Sequence, residues 1–327
     1  MSIPRRHHFV QQAHLAGFTD AKGMLFVASK DGAVFSSAPR NVFAVRDLYS
    51  YDAEEGVQTA FETNLSQFEG DVFPFVRAIA DTGVINEEGA QAAALYMACS
   101  MLRNPTYQKT VIDTERESVH AATALMDKHG KIPNFPNVGS KLDGRSITDL
   151  LRGGDVKIEI NNARYLQALQ QALTAAAQGL GAFKLSVLMS DDGAFAIGDH
   201  PLTFLHPGQD FGPYGTPLGG DGCELTFPIT KNVCLVGRWA EPLPPGNKDW
   251  IEQVNVRQAM FASRYVAAAA SNNDLTRAVW RYTGLSFTGD VARLPAADGH
   301  YIITRRALLP SLRRQAVAGD IRALCQF

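Results

Sequence analysis

The chain has 327 residues, 46% of them hydrophobic and 20% charged, with a formal net charge of −2. That length allows one large or two ordinary domains and a core that needs no staples. The composition excludes general disorder and leaves no overall basic field to announce a nucleic-acid partner. Cys99, Cys223, Cys234 and Cys325 are scattered without a Cys-x-x-Cys pair, which argues against a zinc finger and fits a reducing cytosol. No apolar stretch of signal-peptide type follows Arg5-Arg6, and the apolar runs hold too many polar residues to cross a bilayer. A cytoplasmic protein is expected.

The first informative segment runs from His7 to Phe18. Adjacent residues point in different directions on a helix or a strand, so at most one of His7 and His8 faces the core. His8 is expected to be the inward one, an imidazole able to act as acid, base or metal ligand. Two β-rich runs flank Asp31-Gly32, a hairpin signal. Helical spacing occupies 59–80, with a break expected at Pro74. Asn86-Glu87-Glu88 starts a helix that stops near Asn104-Pro105. Another spans about 107–129 and ends at His129-Gly130. A loop fills 131–145, Ser146 begins a short helix, and a longer one runs from Asn161 to Gln178, closed by Gly179.

The chain then changes character. Short strands are predicted at 183–189, 194–197, 224–229 and 233–237, with turns at Asp192-Gly193 and Lys231-Asn232. Between them, residues 206–222 hold six glycines and three prolines, a long loop. Helix returns over 250–270. The expected fold class is α+β: an N-terminal β-hairpin, a helical middle, and short antiparallel strands in the C-terminal half. One domain is expected over 1–327, ending in an arginine-rich segment at 304–327. That segment reads as a solvated helix face, with a phosphate-binding patch as the sharper alternative.

Several stretches in order resemble the bacterial family known as domain of unknown function 4238. They are His7 to Phe18, Asn41-Val42 with Asp47-Leu48-Tyr49, the acid-bearing helix Leu65 to Glu69, and Leu102-Arg103-Asn104-Pro105. Ile197 to Pro201, Phe227-Pro228-Ile229 and Val254-Asn255 complete the set. The likeness spans about residues 5–270. It implies a single domain and no particular activity. This chain departs from the family at Gln11, where many members have proline, and at Gly198, where they have serine.

Four residues are candidates for chemistry: His8, Arg103, Asp199 and Asn255. Asp199 and His200 follow a predicted strand and could form a base–orienter pair or metal ligands; the plainer role for Asp199 is capping the turn made with Pro201. Arg103 ends an apolar helix and could hold a carboxylate or phosphate. It could equally bond its own helix carbonyls or pair internally with Asp199 or Glu69. His7 and His8 could join Asp199 or His200 around a divalent metal, but no H-x-x-x-H or H-E-x-x-H spacing supports one. Arg116 and His120 share a helix face, most simply a solvated one. The glycines of 206–222 form neither a P-loop nor a GxGxxG turn.

Two functions stay open. One is an intracellular hydrolase, phosphodiesterase or nuclease-like, with His8 as acid/base, Asp199 as orienter and Arg103 as anion holder. The other is a non-catalytic recognition protein in which the same groups are structural. An anionic ligand or nucleic acid could meet Arg305, Arg306, Arg313 and Arg314. A catalytic site requires the four candidates to converge on an open cavity; a structural role buries them with partners satisfied.

Overall fold

The computed structural model describes residues 5–53, 56–58, 60–137, 139–206, 219–220, 222–239, 250–296 and 299–310. Most of the glycine-rich stretch 206–222, and 311–327 with Arg313 and Arg314, lie outside the described residues.

Strand β1 (Arg6–His8) leads into the short helix α1 (Gln12–Ala16), then β2 (Leu25–Ser29) and β3 (Val34–Ser37). β2 and β3 form the hairpin expected across Asp31-Gly32, with Leu25 opposite Ser37. β4 (Ala44–Arg46) returns to β1, His7 opposite Val45. The N-terminal strand therefore pairs outside the hairpin. β5 (Tyr51–Ala53) and β6 (Gly56–Gln58) make a small ladder of their own.

The helical middle follows as α2 (Ala60–Thr82), α3 (Glu87–Leu102), α4 (Pro105–Lys128), α5 (Ile147–Gly153) and α6 (Ala163–Gly181). The break expected at Pro74 is absent. Leu65 and Glu69 before it and Val76 and Ile79 after it are buried, and this packing carries α2 through the missing N–H. Asn86 caps α3, its Oδ1 accepting from Gly89 N at 2.8 Å. Nearly every residue of α3 from Ala92 to Leu102 is buried, which marks it as the central helix of the core. α6 runs through Gly179 rather than stopping there.

The strands that follow are β7 (Lys184–Met189), β8 (Ile197–Gly198), β9 (Thr203–Leu205), β10 (Glu224–Thr230) and β11 (Val233–Arg238). After α7 (Trp250–Phe261) comes β12 (Tyr265–Ala268), then α8 (Asn273–Arg281), β13 (Leu285–Ala296) and β14 (Gly299–Pro310). Two four-stranded antiparallel sheets result, ordered β7-β11-β10-β9 and β3-β2-β12-β8. Asp192-Gly193 therefore joins two sheets instead of closing a hairpin, while Lys231-Asn232 does turn β10 into β11. The helix expected over 250–270 ends at Phe261. Residues 265–268 instead lie between β2 and β8.

The arginine-rich stretch is strand, not helix, over its described part. β13 and β14 form a twelve-pair ribbon laid along α4. Thr304 Oγ1 meets Thr114 Oγ1 at 2.7 Å, and Arg293 Nε donates to Glu117 at 2.9 Å. A Cβ at Gly289 would overlap the Thr110 side chain, so the ribbon's closest approach requires glycine. Arg305 pairs with Asp290 on the facing strand at 2.9 Å. Arg306 turns inward, its guanidinium 5.4 Å from the Tyr107 ring and 5.0 Å from that of Phe287. Neither forms the free basic face that the sequence suggests. Phe287 stacks on Phe261 at 4.9 Å, and buried Lys30 donates to the carbonyls of Met260, Ala262 and Leu285. Among the described residues, no helix is long and apolar enough to cross a membrane.

Candidate functional site

Pairing with β4 turns His7, not His8, into the core. His7 is fully buried, and its Nδ1 accepts from the Tyr49 backbone N–H at 2.8 Å. The proton therefore sits on Nε2, which lies 3.2 Å from Glu62 Oε2. The ring stacks on Tyr49, centroids 5.3 Å apart and planes within 5°. His8 is half-buried instead. Its carbonyl accepts from Arg103 Nη2, and its Nδ1 lies 3.4 Å from Gln12 Nε2. Burial pulls the His8 pKa below the ordinary value; the nearby Pro39 and Arg40 carbonyls oppose that shift and do not reverse it. Burial thus favours the neutral form of the His8 ring.

Arg103 follows the last residue of α3 and is 4% exposed. It leaves its own helix carbonyls alone and reaches across to α2, pairing through Nη1 with Glu69, while Nε donates to the Tyr49 hydroxyl at 3.0 Å. Of the readings weighed from sequence, the internal pair with Glu69 is the one present. Tyr49 is buried, and burial raises its pKa to about 12, so its hydroxyl stays protonated. These groups border an open cavity of about 280 Å³, lined by His8, Gln11, Gln12, Glu62, Glu69 and Arg103 among others.

Asp199 and Asn255 do not line this cavity. The Asp199 carboxylate accepts three backbone N–H bonds, from Ser263 at 2.6 Å, Arg264 at 2.7 Å and Tyr265 at 3.0 Å. Those bonds fix the turn between α7 and β12. Burial raises the Asp199 pKa, and the three N–H groups and Lys30 only partly offset it. Asn255 clasps the segment before β8, donating to Ala194 O and accepting from Ala196 N, each at 2.8 Å. His200 Nε2 sits 3.0 Å from Thr106 Oγ1 and 3.1 Å from Ser263 Oγ, and burial lowers its pKa well below the ordinary value. Among the described residues, no three His, Cys, Asp or Glu side chains gather as a metal-ligand group.

The Leu102-Arg103-Asn104-Pro105 turn joins the two clusters. Arg103 faces the cavity. Asn104 faces the other way, donating from Nδ2 to the Asp199 carbonyl at 2.6 Å while its Oδ1 caps α4 at Thr106 N. Pro105 is the first residue of α4, where its missing N–H costs nothing.

Glu62 and Tyr49 were not marked as site residues by sequence reasoning, and His7 was weighed only as a metal ligand. A seven-residue spacing places Glu62 and Glu69 two turns apart on the same face of α2, which is a legible signal. Gln11 adopts φ −57°, which proline also allows, so the turn keeps the geometry proline would give it. A Cβ at Gly198 would crowd Gln258 O at 3.0 Å, so glycine suits the close packing of β8 on α7.

The fold is α+β, and its distinctive site is an N-terminal histidine strand locked against an arginine turn. The chain belongs to the family described as Protein of unknown function (DUF4238), whose sequence profile matches residues 6–272. The match stops just before α8, leaving the ribbon outside it. No curated protein and no solved structure matches the chain.

Proposed function

We propose that the protein is a hydrolase whose chemistry takes place in the cavity between β1, α1, α2 and the Arg103 turn. One observation carries this reading: a neutral imidazole, two carboxylates and a guanidinium from separate elements share one opening of about 280 Å³. His8 acts as general base, taking the proton of an attacking water as its oxygen bonds to phosphorus, and returns that proton to the alkoxide released when the phosphorus–oxygen ester bond breaks. Arg103 has five N–H bonds and three partners among the described residues, which leaves two for a negatively charged oxygen. Glu69 already balances its charge, which favours a monoanionic phosphodiester over a dianionic phosphate. Glu62, held through His7, completes the wall. Asp199 keeps a structural role and leaves the list of reacting groups. The free, buried Cys99, Cys223 and Cys234 fit a reducing bacterial cytoplasm.

The test is hydrolysis of bis(4-nitrophenyl) phosphate and short RNA by the wild type and His8→Ala. The variant is expected to lose about 100-fold or more in kcat/KM with its melting curve nearly unchanged. Turnover unaltered in His8→Ala, or none in the wild type, defeats the reading. A non-catalytic recognition protein would then stand. It is favoured by the engagement of all three Arg103 nitrogens and by the saturation of Asp199 and Asn255 with backbone partners.

A further inference from the structure

The cavity at His8 is small. Its volume of about 280 Å³ lies just under the range of about 300–1,000 Å³ usual for small-molecule sites. A phosphodiester seated there needs holding from outside as well, and binding energy gathered away from the reacting atoms can serve the reaction itself.

The outer face of the β1–β4 pair carries groups suited to that task. Side chains two apart on a strand share a face, so Arg6 and His8 point the same way, opposite to buried His7. Arg46 stands directly across the ladder from Arg6. Like charges in that position repel, and an anion between them relieves the repulsion. Arg6 Nη2 donates to Asn41 O, which draws its head toward Arg40. His8 lies beside these groups. Burial does most to lower its pKa, the Pro39 and Arg40 carbonyls approach its ring, and the charges of Arg6 and Arg103 lower it further.

The positive charge of this face is not cancelled. Residues 5–8 and 40–47 hold Arg5, Arg6, Arg40 and Arg46 against Asp47 alone. Arg5 takes both oxygens of Asp47, at 2.9 and 2.6 Å, and Arg46 reaches one of them at 3.3 Å. Arg6 and Arg40 are exposed and make no ion pair among the described residues. The carboxylates of the cavity, Glu62 and Glu69, lie on α2 and are engaged by His7 and Arg103. Two residues along β1 advance about 7 Å, so Arg6 suits a phosphate next to the one at His8 rather than the same one.

We propose that this face binds the backbone of single-stranded nucleic acid and feeds one linkage to the His8 cavity. Arg6, Arg40 and Arg46 meet the flanking phosphates, and Arg103 meets the central one. The cavity is too small to admit a duplex. Phe9 and Phe43, the aromatic residues of these segments, are buried, so the bases find no stacking platform and binding is indifferent to sequence. That the strand is cut rests on the hydrolase reading; that it binds does not.

Fluorescence anisotropy with a labelled oligouridylate about 12 nucleotides long tests this. The probe is titrated with the full chain carrying His8→Ala, which removes the base and keeps the probe whole. The expected Kd is about 1–100 µM at physiological salt, with log K falling by about 2 per tenfold rise in salt for three phosphate contacts. Adding Arg6→Gln, Arg40→Gln and Arg46→Gln together should weaken binding at least about 10-fold and flatten the salt slope. Circular dichroism checks the fold of that variant, and Arg40→Glu, which removes no described ion pair, should by itself weaken binding a few-fold. With His8 intact, the triple variant should turn over bis(4-nitrophenyl) phosphate within about 2-fold of the wild type while losing turnover of the strand. No strand binding, binding indifferent to the triple variant, or tighter binding of the matching duplex or of phosphatidylserine vesicles would each overturn the proposal. Strand binding through these arginines without any hydrolysis would remove the hydrolase reading and keep this one.

Discussion

Arg103 and Asn104 are neighbours in sequence and face different clusters. Around Arg103, side chains meet side chains: Glu69, Tyr49 and, through its carbonyl, His8. Around Asp199, a side chain meets backbone, and three N–H groups use up the carboxylate. The first arrangement borders an open cavity. The second leaves a fixed turn. The same residue types thus differ in setting because of what their partners are: a carboxylate filled by backbone amides fixes a turn, whereas the charges around Arg103 pair with each other at the edge of a cavity.

The sharpest way to break this contrast is Arg103→Ala. It strands Glu69, 8% exposed, as a buried charge and should cost about 3–5 kcal/mol in urea unfolding. Replacing both partners, Arg103→Met with Glu69→Leu, should restore most of that stability while abolishing any ligand binding in the cavity. A double variant as unstable as the single would mean that lost packing, not unpaired charge, dominates.

Acid sensitivity comes next. His14 is buried beside Phe18, Phe73, Tyr96 and Phe227, with Nε2 at 2.8 Å from Pro228 O, and burial lowers its pKa to about 4. Its folded-state value lies below its unfolded value of about 6.5. Its contribution is therefore complete above pH about 6.5 and is lost as pH falls toward 4, up to about 3 kcal/mol. His14→Gln should flatten that part of the stability–pH curve. An unchanged acid slope would assign it to other groups.

Gly289→Ala should have the smallest effect, about 1–3 kcal/mol, by forcing the ribbon away from Thr110. Hydrogen exchange should quicken over 285–310 and stay unchanged over 5–18. Equal acceleration in both would show that ribbon and cavity are one cooperative unit.

Much of this was readable in the residues. Asn86, Ser146 and Asp31-Gly32 carry local turn and cap chemistry, and each lies where that chemistry predicts. The errors came where distant partners decide. His8 was expected inside, but the inward face of β1 is set by its register with β4, which alternation within one strand cannot supply. The helix expected through 270 failed because a carboxylate some sixty residues earlier, Asp199, takes the N–H bonds of 263–265. The arginine-rich segment 304–327 reads as a helix face because nothing local reveals the strand 285–296 that pairs with its described part. Of the proposed site, His8 and Arg103 were legible as residue types at element ends, and Glu62 and Glu69 through their seven-residue spacing; Tyr49 joined it only through the fold.

Lys30 has one further consequence. Two of its three carbonyl acceptors, Met260 and Ala262, belong to the stretch shared with the family, and the third, Leu285, belongs to the arm beyond it. Phe287 of that arm lies on Phe261 and Phe204 of the shared stretch. A fragment cut at residue 272 would strip a buried ammonium of an acceptor and bare an aromatic face. The boundary visible in sequence is thus no seam in the molecule: what looks like an appendage to the family acts as part of its wall, and truncation to the shared length should yield an aggregating product.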